Sequence, residues 1–563
     1  MHAFGPDRRQ LLALAGGAAF TSLLPAWARS QTPGLARPAA LSGERIQLTV
    51  GHAPIRIGAR SGHAVALNGT VPGPLIRLKE GQDVRIAVTN RLAEDTSIHW
   101  HGLLVPSHMD GVPGLSFPGI KPGQTFTYEF PIRQAGTYWF HSHSGMQEQA
   151  GLYAPMVIDP AGAEPQPYDR EHVIVLSDYS FMHPHEVLER LKQEAGDFNR
   201  QRQTIQGLLA GVDQPLAERL QWARMRMDPT DIQDVGAAVF RFLINGHGLD
   251  ENWTGLFKPD ERVRLRVVNA ASMSIFNIRL PGLPMTVVQA DGQDVRPVEV
   301  DEFQISPAET YDVIVQPADR AYAFVAEAAD RSGMVRGTLA PRPGMTAQAP
   351  PLRERPLLSM RDMGMDMSSH AGHGGGGGHS MSMRDPKNAP QVKLGPGVDM
   401  IAPMPLDRTG DRPTGLEKVP HRVLVYRDLE ALRPGPQPTP TRALEIHLTG
   451  NMERFMWSFD GEKFSEVVDP IPFRRGERVR VTLVNDTMMN HPIHLHGHFM
   501  EVVNGRAAQP RKHTVTVMPG GKLTFDLTAD APGDWAFHCH MLLHMHAGMF
   551  RVFTVRPLDG AAA

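Results

Sequence analysis

Cysteine is almost absent from this sequence: Cys539 is the only one in 563 residues. An intrachain disulfide framework is therefore excluded, and the lone thiol is either an inert buried side chain or a ligand or catalyst. Charge excess is missing as well. Lys and Arg total 57 against 60 Asp and Glu, a net charge of -3, which leaves no basic field to bind nucleic acid. Long apolar runs are also lacking. The run that ends near Leu24 holds about 14 apolar residues, too few to cross a bilayer as a helix, so no stable membrane anchor is expected.

That N-terminal segment has the order of an export leader instead. Asp7-Arg8-Arg9-Gln10-Leu11-Leu12 precedes an Ala- and Gly-rich apolar run, and Ala26-Trp27-Ala28 supplies a cleavage signal. Residues 1–28 read as a twin-arginine signal peptide. The reading predicts a periplasmic protein, delivered by the twin-arginine export machinery and beginning near Arg29.

Histidine and methionine are abundant, at 26 and 28 residues. From 41 to 160, short β-branched runs (IQLTV, VRIAVTN, FTYEF, TYWFHSH, APMVI) alternate with Gly and Pro turns, the texture of an antiparallel sandwich or barrel. Residues 168–345 repeat it, interrupted at 186–227 by a charged insert (EVLERLKQEA, PLAERLQWARMRM) with apolar residues at helical spacing. His183 and His185 read as surface loop, and this second region as a spacer or binding wall.

Residues 346–415 change composition. Met360, Met363, Met365, Met367, His370, His373, His379, Met381 and Met383 surround five consecutive glycines, which predicts a mobile linker that cannot offset its ordering entropy. Thioethers suit Cu(I), and imidazoles suit either copper oxidation state. A third β-rich region, 416–560, completes a reading of three sandwiches in tandem.

The histidines are clustered. Random placement gives about one His-x-His pair, by the counting that pattern reading requires, whereas the sequence has seven. Four clusters fall in the first and third regions: His99-Trp100-His101, His141-Ser142-His143, His491-Pro492-Ile493-His494-Leu495-His496 and His538-Cys539-His540. In a strand, residues two apart share a face. His538 and His540 thus point away from Cys539 and could hold a second metal centre. Cys539, His544 and Met549 offer a thiolate, an imidazole and a thioether, which leaves a blue-copper site one imidazole short.

The motifs HWHG, HSH, HPIHLHG and HCHMLLHMHAGM, in this order, resemble those of the multicopper oxidases over essentially the whole mature chain. GNMERFMWSFDG at 450–461, NWTGLFKP at 252–259, the Met- and His-rich tract and the leader resemble bacterial periplasmic copper-resistance oxidases most. The resemblance implies an all-β fold of three tandem cupredoxin-like Greek-key domains with a helical insert in the second. It implies four copper ions. His491, Cys539, His544 and Met549 would hold type 1, His99 and His494 type 2, and His101, His141, His143, His496, His538 and His540 the type 3 pair. Cys539 would pass electrons to dioxygen at the trinuclear cluster, and Asp110 would assist proton delivery. Met545 and His546 stand where many relatives carry a second carboxylate.

The expected reductant is Cu(I), guided by the Met/His tract and by Met225, Met227, Met452 and Met456, in the service of copper resistance. Alternatives are a laccase-like oxidase of small phenols and a copper-sequestering protein acting through the tract. A monomer is expected.

Overall fold

Alternating runs such as Arg45–Ile57 (RIQLTVGHAPIRI) form strands in which every second side chain is buried. The computed structural model describes residues 40–365 and 383–558. The leader and Met367, His370, His373, His379 and Met381 lie outside the described residues. Strand outweighs helix, 40% to 9%, in keeping with an all-β fold of cupredoxin-like sandwiches. Five- and four-stranded sheets come from 41–159, six- and five-stranded sheets from 170–340, and seven- and five-stranded sheets from 406–556.

The sheets are mixed rather than antiparallel throughout, and one parallel pairing recurs in each. Arg45–Ile57 pairs with Asp83–Asn90, Arg170–Ser180 with Val263–Asn269, and Arg442–Asn451 with Arg478–Asn485. Each second strand ends in a fully buried asparagine that ties its corner. Asn90 Nδ2 donates to the carbonyls of Glu94 (2.8 Å) and Ile120 (2.7 Å), and its Oδ1 accepts from Leu92 N–H. Asn269 makes the same three bonds to Ser274, Ile305 and Ala271. Asn485 makes them to Met489, Val517 and Thr487. The corner groups would otherwise be buried without partners, at about 1–3 kcal/mol each, so the three asparagines mark one unit used three times.

Two expectations are corrected. The described flanks of the Met/His tract are packed, not mobile. Met363 is fully buried, Arg408 pairs with Asp362 at 2.8 Å, Ala389, Val392, Val398 and Ile401 form a small core, and Leu406–Asp407 joins the strand Gly521–Thr528. Local composition hid these partners. His183 is also more than loop: it caps the helix Pro184–Gln193, its Nδ1 accepting from His185 N–H. The insert adds the helices Ile205–Leu209 and Leu216–Met225. The last of these is tied by Arg226 to Glu453 and by Gln221 Nε2 to Met360 Sδ (3.8 Å). No helix among the described residues is long and apolar enough to cross a membrane.

Candidate metal centre

The four histidine motifs lie on strands that face one another. In the first sandwich His99 pairs across the ladder with His141; in the third, His494 pairs with His538, and Ile493 with Cys539. His101, His143, His496 and His540 flank these pairs, and seven of the eight imidazoles are almost completely buried, His143 being half-buried. His99 stacks on His496 with centroids 3.9 Å apart, and His101 on His494 at 3.8 Å. His538 Nε2 lies 3.1 Å from His496 Nε2 and 3.4 Å from His143 Nε2.

Burial favours the neutral form of seven of these rings. It pushes His538 down to about 4 and His101, His141, His143, His494, His496 and His540 well below the usual imidazole range. His99 Nε2, His494 Nε2 and both nitrogens of His540 have no hydrogen-bond partner. Buried orphan acceptors converging on one space fit metal cations.

Several outward nitrogens are held. His99 Nδ1 meets the Asp110 carbonyl at 2.9 Å, His496 Nδ1 meets Asp110 Oδ2 at 2.7 Å, and His494 Nδ1 meets the His513 carbonyl at 2.7 Å. Asp110 is placed by Gly111, whose φ of +81° and closeness to the Ile98 carbonyl leave no room for a Cβ. His101 is reversed: its Nε2 faces His513 Nδ1 and Thr514 Oγ1, both at 3.2 Å, and its Nδ1 turns inward.

On the other face of the same strand Cys539 Sγ lies 3.5 Å from His491 Nδ1 and 3.7 Å from His544 Nδ1, and those two nitrogens are 3.2 Å apart. Met549 is fully buried beside them, its carbonyl accepting from Cys539 N–H at 3.2 Å. Thr487 Oγ1 holds His491 Nε2 (2.8 Å), Asp234 Oδ2 holds His544 Nε2 (2.7 Å), and Trp457 stacks on His544 at 4.0 Å. Burial raises the Cys539 thiol far above its usual range and pushes His544 down to about 3. A thiolate is stable in such a site only beside a cation. The donor set of two imidazoles and a thiolate, with Met549 close by, suits copper.

The twelve residues anticipated from the motifs lie in two adjacent groups. The tract does not enter either among the described residues. Met360, Met365 and Met383, with Met225, Met227 and Met452, pack half-buried against the core that contains Cys539, Met363 is buried within that core, and Met456 opens the strand that carries Trp457.

Sequence reasoning missed Asp234, Glu148 and His513, which touch His544, His141 and His101. The second region is therefore more than a spacer. It supplies Asp234, and its Asp291 and Glu309 enclose the fully buried Lys512 at 3.0 and 3.1 Å, next to His513. Loss of one member of such a buried pair costs about 3–5 kcal/mol. Gly102 makes room for His513: any Cβ there would lie 2.3 Å from that ring.

Family profiles described as multicopper oxidase match residues 49–163, 171–343 and 437–559. The chain is 46% identical to a copper resistance protein A homolog of Pseudomonas syringae pv. tomato, covering 94% of this chain and 95% of that one. It is 45% identical to copper resistance protein A of Escherichia coli, covering 94% and 96%. Among solved structures, a multi-copper oxidase from Pseudomonas thermotolerans shares the fold with a TM-score of 0.59 at 20% identity, over 92% of this chain and all of that one.

Proposed function

Because the chain belongs to the multicopper oxidase family, we propose that it oxidises Cu(I) one electron at a time and reduces dioxygen to water. In this reading one copper is held by His491, Cys539, His544 and Met549, and three by the eight clustered imidazoles. The observation that carries it is the strand Gly533–Cys539 and the residue after it. Cys539 faces one cluster while His538 and His540 face the other, so the path between them is covalent. Bound copper would supply the redox chemistry, accepting single electrons at the thiolate site and delivering four to dioxygen.

The residues do the rest. Apolar burial keeps water from Cys539, Asp110 fixes His99 and His496, and Asp234 fixes His544. Cu(I) is favoured by the half-buried thioethers Met225, Met227, Met360, Met365, Met383 and Met452, since soft sulfur ligands select it. A second reading, oxidation of a small phenol, has its own support: a cavity of about 240 Å³ is lined by Asp231, Gln233 and Asp234, the last bonded to His544. A periplasmic place and a role in copper resistance are supported by the leader and by the names of the two bacterial relatives.

The test replaces Met367, His370, His373, His379 and Met381 by serine and leaves the packed flanks intact. Tethered ligands raise the local concentration of their cargo, so Cu(I) oxidation at low Cu(I) should fall about tenfold while phenol oxidation stays within about twofold. Equal losses on both substrates would contradict the Cu(I) assignment. Unchanged oxidation of both would remove the tract from the mechanism.

A further inference from the structure

Asp110 links the two halves of the imidazole cluster. Its backbone carbonyl holds His99 Nδ1 (2.9 Å), from the first sandwich, with the carboxylate 3.3 Å from the same nitrogen, and its carboxylate holds His496 Nδ1 (2.7 Å), from the third. Across the cluster a second carboxylate occupies a matching place. Glu148 Oε2 lies 2.6 Å from His141 Nδ1, from the first sandwich, a nitrogen that also meets the Ser142 carbonyl at 3.0 Å, and Glu148 Oε1 lies 3.9 Å from His540 Nδ1, from the third.

Glu148 is almost fully buried, and Oε1 and His540 Nδ1 both lack a hydrogen-bond partner. An acceptor and a ring nitrogen 3.9 Å apart are too far for a direct bond. Both residues line a cavity of about 10 Å³, bordered also by His143, His538 and Met545, at the lower limit for one water. Glu148 is held in place through its neighbour. Gln147 Oε1 accepts from Thr96 Oγ1 (2.7 Å) and Ser142 Oγ (2.9 Å), and its Nε2 donates to Glu94 Oε1 and the Asp95 carbonyl, both at 2.9 Å. The turn that follows His143 therefore has little freedom to withdraw the carboxylate.

We infer that Glu148 is a positioning residue and the counterpart of Asp110: it holds His141 together with the Ser142 carbonyl, and His540 through one water, so that both rings keep Nδ1–H outward and Nε2 for the metal. An imidazole binds a metal through one nitrogen only, and the partner of the other nitrogen fixes tautomer and orientation. Met545 and Glu148 line the same cavity, so the carboxylate that borders this space comes from the loop after His143 and not from the closing motif.

This role rests on the reading that the eight imidazoles hold copper, and its test separates the two. Glu148→Gln keeps the reach and an acceptor oxygen but loses the charge; Glu148→Asp keeps the charge but falls short of His141. Copper-loaded wild type and variants are dialysed against a chelator, and the copper retained at the cluster is followed by total metal and electron paramagnetic resonance. The visible absorption of the thiolate site, which Glu148 does not touch, reports folding in each. Glu148→Gln should retain copper within about twofold of wild type, and Glu148→Asp should lose it about tenfold faster, the lower end of what such outer partners are worth. Wild-type retention in both variants, or a loss in Glu148→Gln at least as large as in Glu148→Asp, overturns the inference. A wild type that takes up no copper at the cluster would instead refute the functional reading beneath it.

Discussion

Replacing Cys539 by serine is expected to abolish the visible absorption of the copper-loaded protein and to lower dioxygen consumption by about a thousandfold, about 4 kcal/mol in barrier. The change is small in volume and sits at a fully buried position, with His491 and His544 nitrogens 3.5 and 3.7 Å away to receive a hydroxyl. The fold should therefore persist. What disappears is the soft thiolate and, with it, the covalent route to His538 and His540. Copper at the imidazole cluster should remain, because none of its ligands is altered. The same variant separates catalysis from storage in the cell. A sequestering protein would keep its full copper tolerance after the exchange, whereas an oxidase loses tolerance along with colour.

Asp110→Ala should lower dioxygen turnover by about a hundredfold, the upper range for loss of an outer partner of metal-bound histidine. His99 keeps the backbone carbonyl of residue 110 at 2.9 Å, but His496 Nδ1 loses its carboxylate at 2.7 Å and is left buried without an acceptor. The effect should be confined to one half of the reaction. Anaerobic addition of reductant should bleach the thiolate site at the wild-type rate, since Asp110 touches neither His491 nor His544, and the return of colour on admitting oxygen should be slow. Slowing of both phases alike would point to a general loss of structure. Asp110→Asn, which retains an acceptor oxygen, should recover most of the rate if orientation is the main role, and little of it if proton delivery is.

The parts of the site that were legible in the sequence are those with a period. Imidazoles two residues apart in β-branched runs can only share a face, and Cys539 between His538 and His540 can only face the other way. The ladder pairs His99 with His141 and His494 with His538 accordingly. The parts that were not legible come from turns and loops, where no period exists. Asp234, Glu148 and His513 each reach a ligand that is remote in sequence or held by an irregular turn, and a single carboxylate or histidine in such a turn carries no spacing signal.

The asparagine corners were visible as AVTN, RVVN and TLVN, yet meaningful only once their three hydrogen bonds were seen to repeat. The flanks of the Met/His tract show the converse. Their composition suggested motion, but Met363 is buried in the main core, Ile401 packs with Ala389, Val392 and Val398, Arg408 pairs with Asp362, and Leu406–Asp407 joins a sheet edge of the third sandwich.

The central claim is the coupling of single-electron oxidation to four-electron reduction of dioxygen. It is tested most directly by supplying Cu(I) as the only reductant to the copper-loaded protein and measuring dioxygen consumed and peroxide formed. Four Cu(I) should be oxidised for each dioxygen, with no peroxide released. A ratio of two with peroxide accumulating, or no consumption above the uncatalysed rate, would contradict it.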